Sequence, residues 1–255
     1  MSLFDLTGKT AIITGSSRGI GKAIAEAMAA QGANVVISSR KPGPCQEVAG
    51  AINEAEGRDC AIAVPANISS REDLERLVSE TEAAFGQVDI LVCNAATNPY
   101  FGSLMDISDD AFSKILQNNI VSNNWLVQLC APGMRERKDG SIVIVSSIGG
   151  LRGTPVIGAY NISKAADFQL ARNLAVEFGG DNVRVNCIAP GLIKTDFARA
   201  LWENPAILKN ALSGTPMDRI GNPDEIAGAA VYLASKASSY MTGQMMVVDG
   251  GATVT

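Results

Sequence analysis

Along this chain, short unbroken apolar runs alternate with longer stretches whose apolar residues recur every three to four positions. The short runs are TAIIT (10–14), NVVISS (34–39), CAIAV (60–64), VDILVC (88–93), SIVIVSS (141–147), VRVNCIA (183–189) and MMVVD (245–249). Strands buried on both faces read this way, which predicts a parallel sheet covered by helices. The longer stretches predict helices over about 19–31, 44–56, 70–85, 108–135, 158–179, 196–211 and 223–235. In SREDLERL, Ser70 followed three residues on by Asp73 marks a helix start. The regular strand–helix alternation predicts a doubly wound α/β fold of about seven parallel strands with helices on both faces. No linker, internal repeat or low-complexity stretch divides residues 1–255, so one domain is expected.

Composition narrows the partners. Apolar residues make up 47% and charged residues 18%, ordinary globular usage. The 21 basic and 26 acidic residues leave a net charge of −5, with no dense Lys/Arg run. That argues against a nucleic-acid footprint and against a polybasic membrane patch. There is no histidine, and the five cysteines (Cys45, Cys60, Cys93, Cys130, Cys187) are widely spaced with no C-x-x-C. A structural zinc site is therefore not expected, and reduced thiols of a cytoplasmic protein are. The start, MSLFDLTGKT, lacks the pattern of a signal peptide, and no apolar stretch reaches a membrane-spanning length.

The first strand runs into TGSSRGIGKAIAEAMAAQGA, a glycine turn that opens a helix, with Gly15, Gly19 and Gly21. Such a turn lets backbone approach a pyrophosphate, and the helix start supplies free N–H groups and a positive dipole end. A tight turn that binds nothing is the plainer alternative. The spacing is G-x-x-x-G-x-G, and TGSSRGIG resembles the signature of the short-chain dehydrogenase/reductase family. Other pieces stand where that family has them. CNAA (93–96) follows the fourth strand, where the family usually reads N-N-A-G; YNISK (160–164) follows the fifth, NCIAPGLIKT (186–195) the sixth, and TGQMMVVDGG (242–251) closes the pattern. The resemblance runs from about residue 4 to 251. It implies a Rossmann-type fold and dinucleotide contacts from Ser17 and Ile20 in the turn, Ile68, Asn94, Ala95 and Ala96, and Pro190, Gly191, Ile193 and Thr195.

NAD-binding proteins of this kind need an acid after the second strand to accept bonds from the ribose 2′-OH. Here VVISSRKPG has none from Val35 to Pro44. Ser39, Arg40 and Lys41 stand there instead, and Arg18 lies in the glycine turn. Guanidinium groups pair with a 2′-phosphate, which predicts NADP(H) with Arg40 as the main contact and Arg18 as the second. Asn67 stands where the family usually has Asp beside the adenine, and it also reads as a turn residue before Ser70.

In YNISK, Tyr160 and Lys164 are four residues apart, one turn on the same helix face. A phenol near pKa 10 needs about 3 units of lowering to act at neutral pH, and one unit charge about 4 Å away at an effective dielectric near 20 supplies roughly that. This makes Tyr160 the candidate general acid/base with Lys164 as its partner. The resemblance assigns the same roles, and has Lys164 hold the nicotinamide ribose. It makes Ser147 the hydroxyl that binds the substrate oxygen, although periodicity leaves Ser146 open. It also adds Asn119, holding a water that links to the lysine, with Asn118 as the competing position. No metal is expected.

Pocket walls are expected from 97–103, 148–153 and a lid over 192–217 that contains Leu192, Ile193, Phe197, Leu201, Trp202, Leu212 and Met217. An apolar lid suits a medium-sized apolar carbonyl or secondary alcohol, although Trp202 reads equally as an interface residue. NPYFGSLMDIS and APGLIKTDFARALWENP resemble the family's carbonyl reductase/retinol dehydrogenase branch, which implies ketones, α-dicarbonyls or retinoids. The ending GGATVT lacks a peroxisomal address. A 3-oxoacyl-thioester reductase shares every motif, and a non-catalytic nucleotide sensor is the alternative of another class. Family members are usually homotetramers packed through the helices near 108–135 and 158–179.

Overall fold

Successive residues of β1 (Thr10–Thr14) serve opposite faces of the sheet: Ala11 and Ile13 join one apolar cluster and Ile12 the other. The computed structural model describes residues 2–255. The remaining strands are β2 (Asn34–Ser38), β3 (Ala61–Ala63), β4 (Ile90–Cys93), β5 (Gly140–Val145), β6 (Val183–Pro190) and β7 (Met245–Val248). They form one parallel sheet in the order β3-β2-β1-β4-β5-β6-β7. The helices are α1 (Gly19–Ala30), α2 (Pro42–Glu56), α3 (Arg71–Phe85), α4 (Asp109–Leu116), α5 (Ser122–Arg137), α6 (Gly158–Phe178), α7 (Arg199–Trp202), α8 (Pro205–Leu212) and α9 (Pro223–Ala234). Ile24 and Met28 of α1, Val48 of α2 and Ile226 of α9 cover one face. Leu74 and Leu77 of α3, Leu126 of α5 and Phe168 of α6 cover the other. Among the described residues, no helix is long and apolar enough to cross a membrane.

A cap defines the start of α3 as expected. Ser70 Oγ accepts from the Asp73 N–H at 3.2 Å at the head of α3. Pro42 stands in the first turn of α2, so that helix starts two residues before the expected 44. Two expected helices differ from the sequence reading. The one over 108–135 contains a π turn at Gln117–Val121 between α4 and α5. The wider turn brings both Asn118 and Asn119 inside. The one over 196–211 breaks into a 3-10 turn at Asp196–Ala198, then α7 and α8. Pro205 forces Asn204 out of helical geometry, and the Asn204 side chain then caps α8 by accepting from the Ala206 N–H at 2.9 Å.

Strand order reverses at β1, with β2 on one side and β4 on the other. Ligands of such sheets bind at this switch point, beyond the carboxyl ends of the strands.

Candidate active site

The glycine turn after β1 is fastened to the end of β4. Asn94 Nδ2 donates to Thr14 O at 2.8 Å and Gly15 O at 3.3 Å, and Thr14 Oγ1 accepts from the Asn94 and Ala95 N–H groups, both at 3.1 Å. Gly15 and Gly19 are left-handed, with φ of 67° and 57°. Gly21 is needed for space: a Cβ there would stand 2.5 Å from both Gly15 O and Asn94 Nδ2. No side chain caps α1. Its first-turn N–H groups therefore suit an anion, and this cradle fits a pyrophosphate. Asn94 itself serves as the fastener of the turn.

The end of β2 abuts the turn, where Ser16 Oγ accepts from the Ser38 N–H at 2.9 Å. Arg40 and Lys41 follow directly and are exposed, with Ser39 half-buried before them. Arg18 is exposed too, and its guanidinium meets Asp196 of the lid at 3.1 Å. Asn67 behaves as the turn residue its sequence allows: its Oδ1 accepts from the Ser69 N–H at 3.2 Å. Ile68 packs against the core beside it.

Tyr160 and Lys164 share a face of α6, with the Lys164 Nζ 5.7 Å from the Tyr160 ring centroid. Lys164 is buried. Its ammonium donates to Val145 O at 2.9 Å and to Asp167 Oδ2 at 3.1 Å, which leaves one of its three N–H bonds for another partner. The two serines separate cleanly. Ser146 is buried and its hydroxyl donates to Lys164 O at 2.7 Å. Ser147 is half-buried, and its Oγ accepts from the Gly149 N–H at 3.0 Å, so its own proton can point to a ligand. Glycine lets this loop approach α6: a Cβ on Gly150 would lie 2.6 Å from the Lys164 carbonyl carbon.

Asn119 is fully buried. It accepts from the Thr97 N–H at 2.8 Å and donates to Thr97 O at 3.1 Å and Ser163 Oγ at 3.0 Å. Asn118 turns away to Ser69 and the Thr97 hydroxyl. Ser163, Asp167 and Asn123 were not expected at the site, and Thr97 was expected only as part of the 97–103 wall. A signal was present: Asn119/Asn123 and Ser163/Asp167 are polar pairs one turn apart on two helices with buried apolar neighbours.

Desolvation dominates the Tyr160 phenol and pushes it above its ordinary value, although the side chain keeps some solvent contact. The Lys164 ammonium and the Ser147 hydroxyl pull it back only in part, and Asp167 adds to the rise. Burial thus outweighs the pull of Lys164 on the phenol, and Asp167 offsets part of that pull. Burial opposes the charge on Lys164, but Asp167, Tyr160 and the bond to Asp167 leave the ammonium held above its usual range.

The 192–217 segment lies beside this group. The Phe197 ring lies 5.9 Å from that of Tyr160. Trp202 Nε1 donates to Thr195 O at 2.9 Å, so Trp202 packs within its own chain. Thr195 approaches the glycine turn, with its Cγ2 3.3 Å from where a Gly19 Cβ would stand. Ile193 is buried and bridges to Gly221. Gly191 follows Pro190 at the end of β6, where a Cβ would meet Asp249 Cα at 2.7 Å. Ala95 and Ala96 line the half-buried exit of β4. Among the described residues, no group of three or more Cys, Asp or Glu side chains is placed to hold a metal.

A family model described as enoyl-(acyl carrier protein) reductase matches residues 15–253. The chain is 44% identical over 248 residues to dehydrogenase/reductase SDR family member 4 of Bos taurus, covering 97% of this chain and 88% of that one. Among solved structures, a gluconate 5-dehydrogenase from Burkholderia cenocepacia in complex with NADP and tartrate superposes with a TM-score of 0.93 at 31% identity, covering 99% of this chain and 98% of that one. A 3-oxoacyl (acyl-carrier-protein) reductase from Agrobacterium tumefaciens with NADP bound superposes at 0.90 and 38% identity, over 97% and 95%.

Proposed function

Because this chain belongs to the short-chain dehydrogenase/reductase family of oxidoreductases, we propose that it reduces the carbonyl of a medium-sized apolar substrate with NADP(H). The convergence of Tyr160, Lys164 and Ser147 beside the β1 glycine turn carries this reading. Bound at that turn, the reduced nicotinamide supplies the hydride. Gly15, Ser17, Gly19, Ile20 and Gly21 hold the pyrophosphate against α1. Arg40, aided by Arg18 and Lys41, binds the 2′-phosphate, which draws Arg18 from Asp196. Asn67 and Ile68 flank the adenine, and Pro190, Gly191, Ile193 and Thr195 flank the nicotinamide.

Ser147 donates to the substrate oxygen and stabilises its developing charge. Tyr160, held protonated at neutral pH by its enclosure, gives its proton to the same oxygen. Lys164 fixes the ribose with its remaining N–H, and Asn119 ties the 97–103 loop to α6. Phe197 and the exposed Phe101 and Leu104 give the substrate an apolar wall.

The test is the loss of nicotinamide absorbance with an aromatic α-diketone. Fast turnover with NADPH, slow turnover with NADH and none in Tyr160→Phe is the expected result; preference for NADH refutes the Arg40 argument. A second reading, reduction of 3-oxoacyl thioesters, draws on the likeness to the Agrobacterium enzyme. Thioester turnover without ketone turnover would favour it. A homotetramer draws on a groove of about 610 Å³ between α5 and α6, where Val127, Leu174 and Phe178 are flanked by Arg135, Glu136 and Glu177. Sedimentation at one-chain mass would overturn it. Five buried free thiols support a cytoplasmic location.

A further inference from the structure

Asp167 is a carboxylate with no exposed surface, set one turn beyond Lys164 on α6. Its two oxygens have different partners. Oδ2 accepts from the Lys164 ammonium at 3.1 Å and Oδ1 from Asn123 Nδ2 at 3.2 Å. Asn123 Nδ2 also donates to Asn119 O at 2.7 Å. An unbroken path of side chains thus runs from the ammonium to the main-chain carbonyl of Asn119. Two rungs join the helices: Asn119 to Ser163 and Asn123 to Asp167, each spanning 44 residues.

Stability does not account for this carboxylate. A buried ion pair gains little over apolar groups of the same size, because each charge loses its hydration. The carboxylate is bonded to Lys164 and Asn123, while Leu126, Phe168 and Ala171 of the same two helices belong to the apolar cluster under the sheet. What distinguishes Asp167 is its partner, the cation beside Tyr160.

We propose that Asp167 is a positioning residue of the active site: bridged by Asn123 to Asn119, it anchors the Lys164 ammonium and offsets its charge where that charge acts on Tyr160. The proposal rests on the catalytic reading of Tyr160 and Lys164 given above. The other titratable groups facing this pair are thiols. Cys187 Sγ on β6 donates to Asp167 O at 3.4 Å, and Cys93 ends β4 nearby. Burial pushes both well up, so both stay neutral. The local balance is set by Lys164, Asp167 and Tyr160 alone. Without the carboxylate, Lys164 acts unopposed and the phenol ionises more readily.

The phenolate absorbance of Tyr160 reads this without turnover, as the difference between a protein and its Tyr160→Phe counterpart during alkaline titration. In Asp167→Asn the Tyr160 phenolate is expected to form at lower pH, by about half a unit or more, a threefold change in phenolate fraction on the limb. The acid limb of alcohol oxidation moves the same way. Asp167→Leu, which refills the space with an apolar side chain, is the second neutral variant and should match. An unmoved or raised midpoint in a folded neutral variant overturns the proposal, as does failure of both variants to fold, which would make the role structural. If the midpoint falls but the wild type reduces no carbonyl, the functional reading fails and the placement of Asp167 stands. If carbonyls are reduced and the midpoint does not move, only the Asp167 proposal fails.

Discussion

Exchanging glycine for alanine should have opposite effects at two helical positions of this chain. Gly228 lies exposed within α9, and a Cβ there meets nothing within 4 Å. Gly228→Ala therefore lowers the entropy of the unfolded chain without strain and stabilises by about 0.5–1 kcal/mol. Gly21 lies within α1 and would gain the same term. Its Cβ, however, would stand 2.5 Å from Gly15 O and 2.9 Å from Gly15 C, which are backbone atoms that no rotamer can move aside. Forcing one carbon into a filled site costs about 1–3 kcal/mol, so Gly21→Ala is a net loss of up to about 2.5 kcal/mol. For a chain of this size that is roughly 2–4 °C per kcal/mol in melting temperature. Relief would come by displacing Gly15 from Asn94, so NADPH affinity falls as well, tenfold for each 1.4 kcal/mol or so. Urea unfolding and NADPH titration of both variants measure the two effects. If Gly21→Ala were as stable as Gly228→Ala and bound NADPH like the wild type, the close packing of the turn would be refuted.

Three further outcomes follow from the geometry. Arg40→Glu should weaken NADPH by about 10–100-fold and leave NADH less affected, since it replaces a charge-assisted bond with repulsion; equal losses for the two nucleotides would remove the 2′-phosphate from Arg40. Ser147→Ala should lower kcat by about 10²–10³-fold, whereas Ser146→Ala should lose about 0.5–1.5 kcal/mol of stability through its bond to Lys164 O and keep more of its activity; steady-state kinetics beside thermal melts separate them. Arg219 holds Glu225 down to about 2, from an ordinary 4.5, in the capping box of α9. Because that value is lowered on folding, the stabilisation is present above pH 4.5 and fades as pH falls toward 2. Glu225→Gln should therefore differ from the wild type in melting temperature at pH 7 and converge with it near pH 2.

The inner strands were readable because they are buried on both faces, as β1, β4 and β5 are throughout, whereas the edge strands β3 and β7 are only partly covered. TAIIT, for example, is an unbroken apolar run whose bounds match β1. The glycine turn and the Tyr160–Lys164 step were readable because their spacing is local. The π turn at 117–121 was not, since its extra residue is held by Thr97 and Ser163, partners 22 and 44 residues away. The break before Pro205 was legible in the Asn-Pro pair, yet the apolar periodicity ran across it. Asp167 was hidden for another reason: in sequence, an acid on a helix reads as solvated surface, and only packing shows that it is fully enclosed.

The glycine turn and its fastener are far apart in the chain: Asn94 donates to Thr14 O across 80 residues. A chain emerging from the ribosome only as far as α3 has the turn and its bond to β2 but lacks the Asn94 fastener. The turn becomes a cradle when β4 settles between β1 and β5, a pairing of high contact order and hence a slow one. A dinucleotide gripped there selects chains whose sheet has closed across its switch point. By mass action it stabilises that closed form over any half-built one.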